Sequence, residues 1–380
     1  MNHEHPTVGP STGQAGNPAD ELDRAAAAVR DRLRRLLPER MSAALLAGYA
    51  GEIHWTYAGD AYEHTVAAPA WELIRRGGKS WRPLFCLLLA ENMGLEMAPY
   101  VDLLTLLVEL PHTGSLLVDD VEDNALTRRG QPCIHLQYGV DVAINAGNLL
   151  YFLPLLEIDR HPRLSPALKA ELHAIVNRHY IRAHLGQAAD IYWSRHLTAE
   201  NLDAWLAQPD RLRDQLCQAY AFKTGAGICS VTACAAAIVG LTPSVGAVFE
   251  TFARNFSVGF QIIDDVMNFR ADAGWGKDCG EDLLAGKLTS VIIEALLALD
   301  PGGRDRLRDV LCRAERPAPE RLAEGLALVR RSGALEACRQ AGARRIGRAW
   351  NEFDAHLPPG RARDLLRCLC DKLMPGDQPL

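Results

Sequence analysis

From Glu21 onward, apolar residues recur along the chain with the spacing of amphipathic helices, and Ala, Leu, Arg and Glu dominate its composition. The clearest helical candidates are residues 97–123, 140–160, 164–193 and 244–269. The last of these is apolar on most faces, which is typical of a helix buried in the middle of a bundle. Runs of alternating β-branched residues are almost absent, so we predict an all-α fold without an appreciable sheet.

The domain organisation follows from the breaks in this pattern. Residues 1–20 are rich in Pro, Gly, Ser and Thr and lack hydrophobic periodicity, which predicts a disordered tail. Residues 21–375 contain no internal repeat or linker, so we expect a single all-α domain. No segment resembles a signal peptide, and charges interrupt the apolar runs before they reach membrane-spanning length. We therefore expect a soluble, cytoplasmic protein with no transmembrane segment.

Composition narrows the function only by exclusion. Hydrophobic residues make up 48% of the 380 positions, enough for a sizeable core, and the net charge of −6 argues against a nucleic-acid-binding protein. Ten cysteines lie between Cys86 and Cys370, and none of them shows the paired spacing of a zinc site. They are typical of reduced, buried cysteines in a cytosolic protein.

Two acidic clusters carry the first chemical signal. The segments DDVED and DDVMN begin at Asp119 and Asp264, and each follows a strongly apolar helical run. Residues four apart share a helix face, so Asp119 and Asp123 project together, as do Asp264 and Asn268. Carboxylates crowded at a helix end repel one another unless a cation neutralises them, and such oxygen ligands suit Mg²⁺ with substrate phosphates. Two clusters facing each other would hold a metal–diphosphate complex.

Basic residues recur at five separated helix boundaries or loops, mostly near glycine. Lysine offers phosphate a point charge and arginine a bidentate fork, so these are candidate anion contacts. The positions concerned are Lys79, Arg82, Arg128, Arg129, Lys223, Lys277 and Lys287. Taken singly, each such motif is more often a turn with an exposed charge. His112, on an otherwise apolar helix, would by itself be a core histidine rather than a ligand.

The order of the motifs is more specific than any one of them. GGKxxRP, His112, LLVDDVEDNxxxRRGQP, GQAADIYW, KTG, FQIIDDVMN and GKDCGEDLLAGK follow one another over residues 70–295. In this order the chain resembles the trans-prenyltransferase (polyprenyl synthetase) family, with closest similarity to geranylgeranyl diphosphate synthases of the eukaryotic type. The resemblance implies an isoprenoid synthase type I helical bundle around a central apolar cavity. It also implies Mg-dependent head-to-tail condensation of isopentenyl diphosphate with an allylic diphosphate of five to fifteen carbons.

The same resemblance implies roles for individual residues. Catalytic roles fall on Asp119, Asp120, Asp123, Asp264, Asp265 and Lys223. Isopentenyl diphosphate would contact Lys79, Arg82, His112 and Arg129. The allylic diphosphate would contact Arg128, Lys223, Thr224, Gln261, Lys277 and Lys287. Mg²⁺, about three ions per active site, would be held by Asp119, Asp123, Asp264 and Asn268.

Product length and assembly are further expectations from the resemblance. Related synthases shorten their tunnel with aromatic residues five and four positions before the first aspartate, where this chain has the small residues Gly114 and Ser115. We therefore expect a C20 product, with C15 and C25 left open, and a homodimer. The loop before Lys277, which contains Trp275, and the segment after Lys287, where relatives often carry a proline, depart from the usual pattern.

Two other functions remain open. A class I terpene cyclase on the same fold would ionise a similar substrate but would need no pocket for a second diphosphate. A non-catalytic partner subunit of a prenyl synthase would typically lack the first aspartate cluster. Lys79, Arg82, His112 and Arg129 favour elongation over cyclisation, and the intact DDVED segment favours a catalytic subunit.

Overall fold

The computed structural model describes residues 17–51, 54–78, 80–269, 279–312 and 316–373. Lys79, Trp275 and Lys277 lie outside these ranges, so the expectations for them stay predictions. The same holds for most of the predicted N-terminal tail. Helix α1 begins at Pro18, slightly before the predicted domain start, because Asn17 caps the backbone N–H of Ala19 and proline suits the first helical turn.

The N-terminal half is a series of helices interrupted by one short hairpin. It comprises α1 (Pro18–Leu36), α2 (Ala43–Ala50), α3 (Gly59–Tyr62), a π-helical turn (Glu63–Ala67), α4 (Ala68–Arg75), α5 (Trp81–Asn92), α6 (Met97–Glu122), β1 (Thr127–Arg128), β2 (Gln131–Pro132), α7 (Ile134–Tyr138), α8 (Val140–Arg160) and α9 (Pro166–Arg195). The strands β1 and β2 pair antiparallel. Their turn places Arg129 and Gly130 at φ values of +56° and +73°.

In the C-terminal half, the regular elements among the described residues are all helices. It comprises α10 (Ala199–Leu206), α11 (Pro209–Lys223), α12 (Gly225–Val239), α13 (Pro243–Met267), α14 (Glu281–Leu284), α15 (Ser290–Ala298), α16 (Pro301–Cys312), α17 (Ala318–Ser332), α18 (Ala334–Asp354) and α19 (Arg361–Leu373). The predicted all-α fold is confirmed. The four long predicted helices appear as α6, α8, α9 and α13, with ends within two residues of prediction.

Helix α13 lies between two hydrophobic cores, which explains why it is apolar on most faces. On one side, Phe252 and Phe256 stack with Phe85 of α5 and Phe353 of α18. On the other, Val258 and Ile262 pack in a separate cluster built largely from α15, α16 and α17. Aromatic stacking and burial on both sides fix the C-terminal end of α13, where the second acidic cluster lies.

Helix α6 is long and apolar enough to cross a membrane. Helices α11 and α12 together also have the length and hydropathy of a membrane span, but they are bent by 54° at the break between them. About 56% of the apolar window of α6 is buried inside the protein, where it contacts α5, α8 and α12. It also carries the buried polar residues Thr105 and Glu109. Helix α6 is therefore a core helix that carries the first acidic cluster at its end.

Candidate active site

The first acidic cluster (Asp119, Asp120 and Asp123) lies at the C-terminal end of α6 among cations from three other elements. The Lys223 Nζ lies 3.1 Å from Asp119 Oδ1, and an Arg128 nitrogen lies 3.4 Å from Asp119 Oδ2. Lys287 forms an ion pair with Asp123. Burial opposes ionisation of Asp119, yet Lys223, Lys287 and Arg128 together hold its pKa well below its usual range.

The neighbouring carboxylates differ from Asp119. Burial, followed by the charge of Asp119, raises the pKa of Asp123. Asp120 is only 1% exposed, and its Oδ1 accepts from Arg128 Nε at 2.8 Å. The same guanidinium lies 3.4 Å from Asp119 Oδ2, so Arg128 contacts both neighbouring carboxylates. As placed, Asp120 holds Arg128 in position, and its predicted catalytic role stays a prediction.

Helix α9 supplies two residues to which the sequence interpretation assigned no role. Asp190 Oδ2 lies 2.5 Å from Lys223 Nζ and 3.9 Å from Lys287 Nζ. Gln187 donates to Asp119 at 3.1 Å and to Glu122 at 2.7 Å. The motif GQAADIYW already held the signal, because Gln187 and Asp190 are three apart and share a helix face. Asp119 and Asp190 together raise the pKa of Lys223, against the opposing effect of burial.

A glycine makes these contacts possible. A Cβ atom on Gly186 would collide with the backbone of Lys223, so only glycine lets α9 approach the end of α11 this closely. The approach brings the Gln187 and Asp190 side chains to the lysine.

The second acidic cluster (Asp264, Asp265 and Asn268) lies at the end of α13. Asp264 lines a cavity together with Arg82 and His112. Asp265 is buried and accepts hydrogen bonds from Tyr220, from the backbone N–H and hydroxyl of Ser290 at 3.0 and 2.7 Å, and from Gln261 at 3.1 Å. Burial raises its pKa to about 7. As placed, Asp265 links α11, α13 and α15, and its predicted catalytic role stays a prediction.

Asn268 is buried, and its Oδ1 accepts from the backbone N–H of Asp282 at 3.4 Å. Its carbonyl oxygen accepts from Gly280 N at 2.7 Å. As placed, Asn268 anchors the start of α14, and its predicted role as a metal ligand stays a prediction.

A cavity of about 660 Å³, the basic cavity, opens between α1, α5, α6, the hairpin and α13. Three of the four residues predicted to bind isopentenyl diphosphate line it, namely Arg82, His112 and Arg129. Arg82 NH1 lies 3.2 Å from His112 Nε2, and its guanidinium lies 4.6 Å from the centre of the Trp81 ring. Arg129 NH1 donates to Leu73 O at 3.0 Å. Arg128, Thr224 and Gln261 from the predicted allylic set line the same cavity.

The electrostatics of the basic cavity favour an anion. Burial lowers the pKa of Arg82 to about 10. Burial, then Arg82 and Arg129, lowers the pKa of His112 well below its usual value, so His112 is neutral at pH 7. Burial raises the pKa of Glu109, the carboxyl group that lines the cavity beside Arg82. Crowded guanidinium groups of this kind are stabilised when an anion enters.

A second cavity of about 230 Å³, the apolar cavity, runs along α6 from Glu122 down to Leu107, between α8, α9 and α12. Asp119, Gln187 and Lys223 line its mouth, Ser115 its wall, and Tyr151, Tyr180, His179 and His184 the side opposite α6. The two cavities share Arg82, His112, Leu116 and Thr224. The site is therefore an apolar cavity joined to a basic one at His112 and Thr224.

The structure places the two predicted chain-length residues differently. Ser115 lines the apolar cavity and donates to His112 O at 2.8 Å. Gly114 faces α8 instead, where a Cβ atom would come within 2.5 Å of Gly147 O. Gly114 therefore serves close packing of α6 on α8 and is not among the residues that line the apolar cavity, and the expectation that its small size leaves the tunnel open stays a prediction.

The carboxylates fit a magnesium ion shared with substrate. Among the described residues, no three His, Cys, Asp or Glu side chains form a closed metal cage. Mg²⁺ usually takes only one or two carboxylates and completes its shell with water and substrate phosphates. The ammonium groups of Lys223 and Lys287 lie against Asp119 and Asp123, at the carboxylates where a cation is expected. Asp119 and Asp123 are thus suited to such an ion, and the metal-binding role of Asp264, which lines the basic cavity, stays a prediction.

Comparisons with known proteins agree with this geometry. The family described as polyprenyl synthetase matches residues 63–328. The chain is 28% identical over 313 residues to a short chain isoprenyl diphosphate synthase of Methanothermobacter thermautotrophicus, covering 82% of this chain and 90% of the relative. It is 28% identical over 298 residues to an all-trans-nonaprenyl-diphosphate synthase of Rhodobacter capsulatus, covering 77% and 84%.

The fold has close counterparts among solved structures. A geranylgeranyl pyrophosphate synthase from Corynebacterium glutamicum, solved with isoprenyl diphosphate and magnesium, superposes with a TM-score of 0.72 at 23% identity. The superposition covers 93% of this chain and 99% of that one.

Proposed function

We propose that this chain joins isopentenyl diphosphate to an allylic diphosphate and releases geranylgeranyl diphosphate. The proposal starts from the fact that the chain belongs to the polyprenyl synthetase family. Trans-prenyl diphosphate synthesis is the chemistry of the family, whereas its members differ in product length. The observation that carries the proposal is the junction of the two cavities, because condensation needs two diphosphate sites and one apolar chain site in contact.

Each cavity then has a task. The allylic diphosphate lies at the mouth of the apolar cavity, where Lys223, Arg128 and Lys287 contact its oxygens. When bound, Mg²⁺, in about three ions, would be held by Asp119, Asp123 and Asp264 and would supply Lewis-acid stabilisation of the departing diphosphate. Arg82 and Arg129 hold isopentenyl diphosphate so that its double bond faces the allylic carbon. The apolar walls exclude water from the allylic cation.

The final proton loss needs an acceptor near the new bond. Lys223 and Arg128 are protonated, and their ion pairs with Asp119 and Asp120 keep them so. His112 is neutral but hydrogen-bonded to Arg82. The released diphosphate, held by the same cations, is therefore the acceptor that this site favours.

The depth of the apolar cavity supports a C20 product. From Asp119 to Leu107 helix α6 descends twelve residues, or about 18 Å at 1.5 Å per residue. An extended carbon chain covers about 1.1–1.2 Å per bond, as a polypeptide does, so the roughly 16 main-chain carbons of a geranylgeranyl group span about 17 Å. The corresponding farnesyl chain would fall about 4 Å short. Beyond the cavity lie the packed side chains of Leu103, Val176 and Cys234.

A homodimer is part of the proposal. Helix α8 exposes Val140, Ile144 and Phe152 at multiples of four residues, and the neighbouring α9 exposes Ile181 and Leu185. These side chains are 37–62% exposed and lie on helices in contact with each other. Two apolar stripes side by side fit a second copy of the same surface. Phe152→Glu should yield monomers in sedimentation, whereas Trp55→Glu, at a separate exposed aromatic residue, should not.

One assay tests the function. The protein is incubated with isopentenyl diphosphate, Mg²⁺ and each of the C5, C10 and C15 allylic primers, and the products are dephosphorylated and separated by length. Geranylgeraniol is the expected product. Cyclic hydrocarbons without use of isopentenyl diphosphate would identify a terpene cyclase, and no turnover without a second protein would identify a partner subunit. We propose a cytoplasmic location, which fractionation of cells would test.

A further inference from the structure

Arg30 lies on α1 at the edge of the buried stripe formed by Ala26, Val29 and Leu33. It lines the basic cavity together with Leu33, and it is contributed by a different element from Arg82 and Arg129. It precedes the segment matched by the family description, residues 63–328, so family membership assigns it no role.

The guanidinium of Arg30 is uncommitted, unlike the other arginines of this cavity. Arg82 contacts His112 and Trp81, and Arg129 donates to Leu73 O. Arg30 makes no hydrogen bond or ion pair with any residue in the described ranges. Its charge acts on the buried Glu109, where it opposes the rise in pKa that burial causes. Ordering a long, charged side chain beside other cations costs free energy unless an anion compensates it.

Two other arginines of α1 show the contrast. Arg34 pairs with Asp31, and Arg32 pairs with Asp102 of α6. The N-terminal part of the helix is held against α19, by Glu21 with Arg361 and by Asp23 with Lys372. The position of Arg30 at the cavity is therefore set by the packing of α1 and not by a partner of its own.

We propose that Arg30 is a further substrate-binding residue, which contacts the diphosphate of the non-allylic substrate from the α1 side of the basic cavity. A diphosphate ester carries several negative charges, and Arg30 adds a further guanidinium group to those of Arg82 and Arg129 in the same cavity. The allylic diphosphate lies at the acidic mouth of the other cavity, so Arg30 acts on only one of the two substrates. This inference rests on the proposed function.

The test separates the two substrates. In Arg30→Gln, the KM for isopentenyl diphosphate should rise about tenfold, while the KM for the allylic primer and kcat stay within about twofold. Arg30→Lys should recover part of the loss, because it keeps the charge without the fork. Arg34→Gln, one turn further along α1, is the matched control and should change neither KM. An unchanged KM for isopentenyl diphosphate in a stable Arg30→Gln protein would overturn the assignment.

Two further measurements are needed. The first tests whether Arg30 serves only the packing of α1, and the second tests this inference independently of the proposed function. If Arg30→Gln raises both KM values and lowers the thermal midpoint, the residue serves only the packing of α1, and the inference is wrong. Calorimetric titration with inorganic diphosphate in the absence of Mg²⁺ needs no turnover. Weaker binding by Arg30→Gln than by the unmodified protein supports the arginine contact even if no prenyl product forms, and equal binding contradicts it.

Discussion

The two acidic clusters have similar sequences and are stabilised in different ways. At the end of α6, the carboxylates lie against cations, with Arg128 paired with Asp120 and lysines against Asp119 and Asp123. At the end of α13, the buried Asp265 is held by hydroxyl, amide and backbone donors. The cations of the first cluster keep Asp119 ionised, whereas burial in the second favours a proton on Asp265. A pair of adjacent aspartates therefore does not by itself define one chemical role.

The clusters also serve different cavities. Asp119 lines the apolar cavity, and Asp264 lines the basic one. Four sets of variants should show how the roles of the two clusters differ, and they follow from the largest expected effect to the smallest.

The largest effect is expected at the first cluster itself. Asp119→Ala should lower prenyl transfer by about a thousandfold or more, since its carboxylate lines the cavity where the proposed metal and allylic diphosphate bind. The control Asp371→Ala removes a surface carboxylate of α19 that pairs with Arg367 and should leave turnover unchanged. Product formation at a near-normal rate with Mg²⁺ in Asp119→Ala would contradict the assigned site.

The buried members of the clusters should differ in stability. Asp120→Ala leaves the largely buried Arg128 without its main partner and should cost about 3–5 kcal/mol in the free energy of unfolding. Asp265→Ala leaves neutral donors unpaired and should cost about 1–3 kcal/mol.

Urea unfolding of the two variants gives both values. The double variant Asp120→Ala with Arg128→Ala should lose less than the sum of the single changes, because no buried charge is then left alone. Equal costs for Asp120→Ala and Asp265→Ala would remove the difference drawn between the clusters.

The pH dependence of stability should have opposite signs at Asp119 of the first cluster and at Asp265 of the second. The pKa of Asp265 is raised to about 7 in the folded protein, so its stabilising contribution is present below about pH 4, its unfolded pKa, and is lost as the pH rises toward 7. The pKa of Asp119 is lowered, so its contribution is present above about pH 4 and is lost on acidification.

Thermal unfolding of the metal-free protein between pH 5 and 8 isolates the Asp265 contribution. As the pH rises, the thermal midpoint of Asp265→Asn should increase relative to that of the unmodified protein, because the amide has no proton to lose. The exposed Asp371→Asn is the matched control. A constant difference between Asp265→Asn and the unmodified protein across this range would show that Asp265 stays in one protonation state.

Much of the molecule could be predicted from the sequence, and the exceptions have physical causes. Helical periodicity located α6, α8, α9 and α13, since burial of an apolar stripe is a local pattern. Burial of one aspartate per cluster could also have been inferred, from the turn of about 100° between neighbours on a helix. The contact of Gly114 with Gly147 could not be predicted from the sequence, because it depends on the packing of α6 on α8. Arg30 lies in no sequence motif, and only its position in the lining of the basic cavity identifies it as a candidate.

The smallest effect on rate, and the most specific, is expected below the first cluster. Ser115→Phe should place a ring in the apolar cavity and shorten the main product by one isoprene unit, with the KM for isopentenyl diphosphate unchanged. Gly114→Ala should instead lower stability, by forcing α6 from α8, and leave product length as it is. Analysis of dephosphorylated products from both variants compares them directly. Unchanged length in an active Ser115→Phe protein would mean that side chains elsewhere, such as Tyr151 or His179 on the opposite wall, determine where elongation stops.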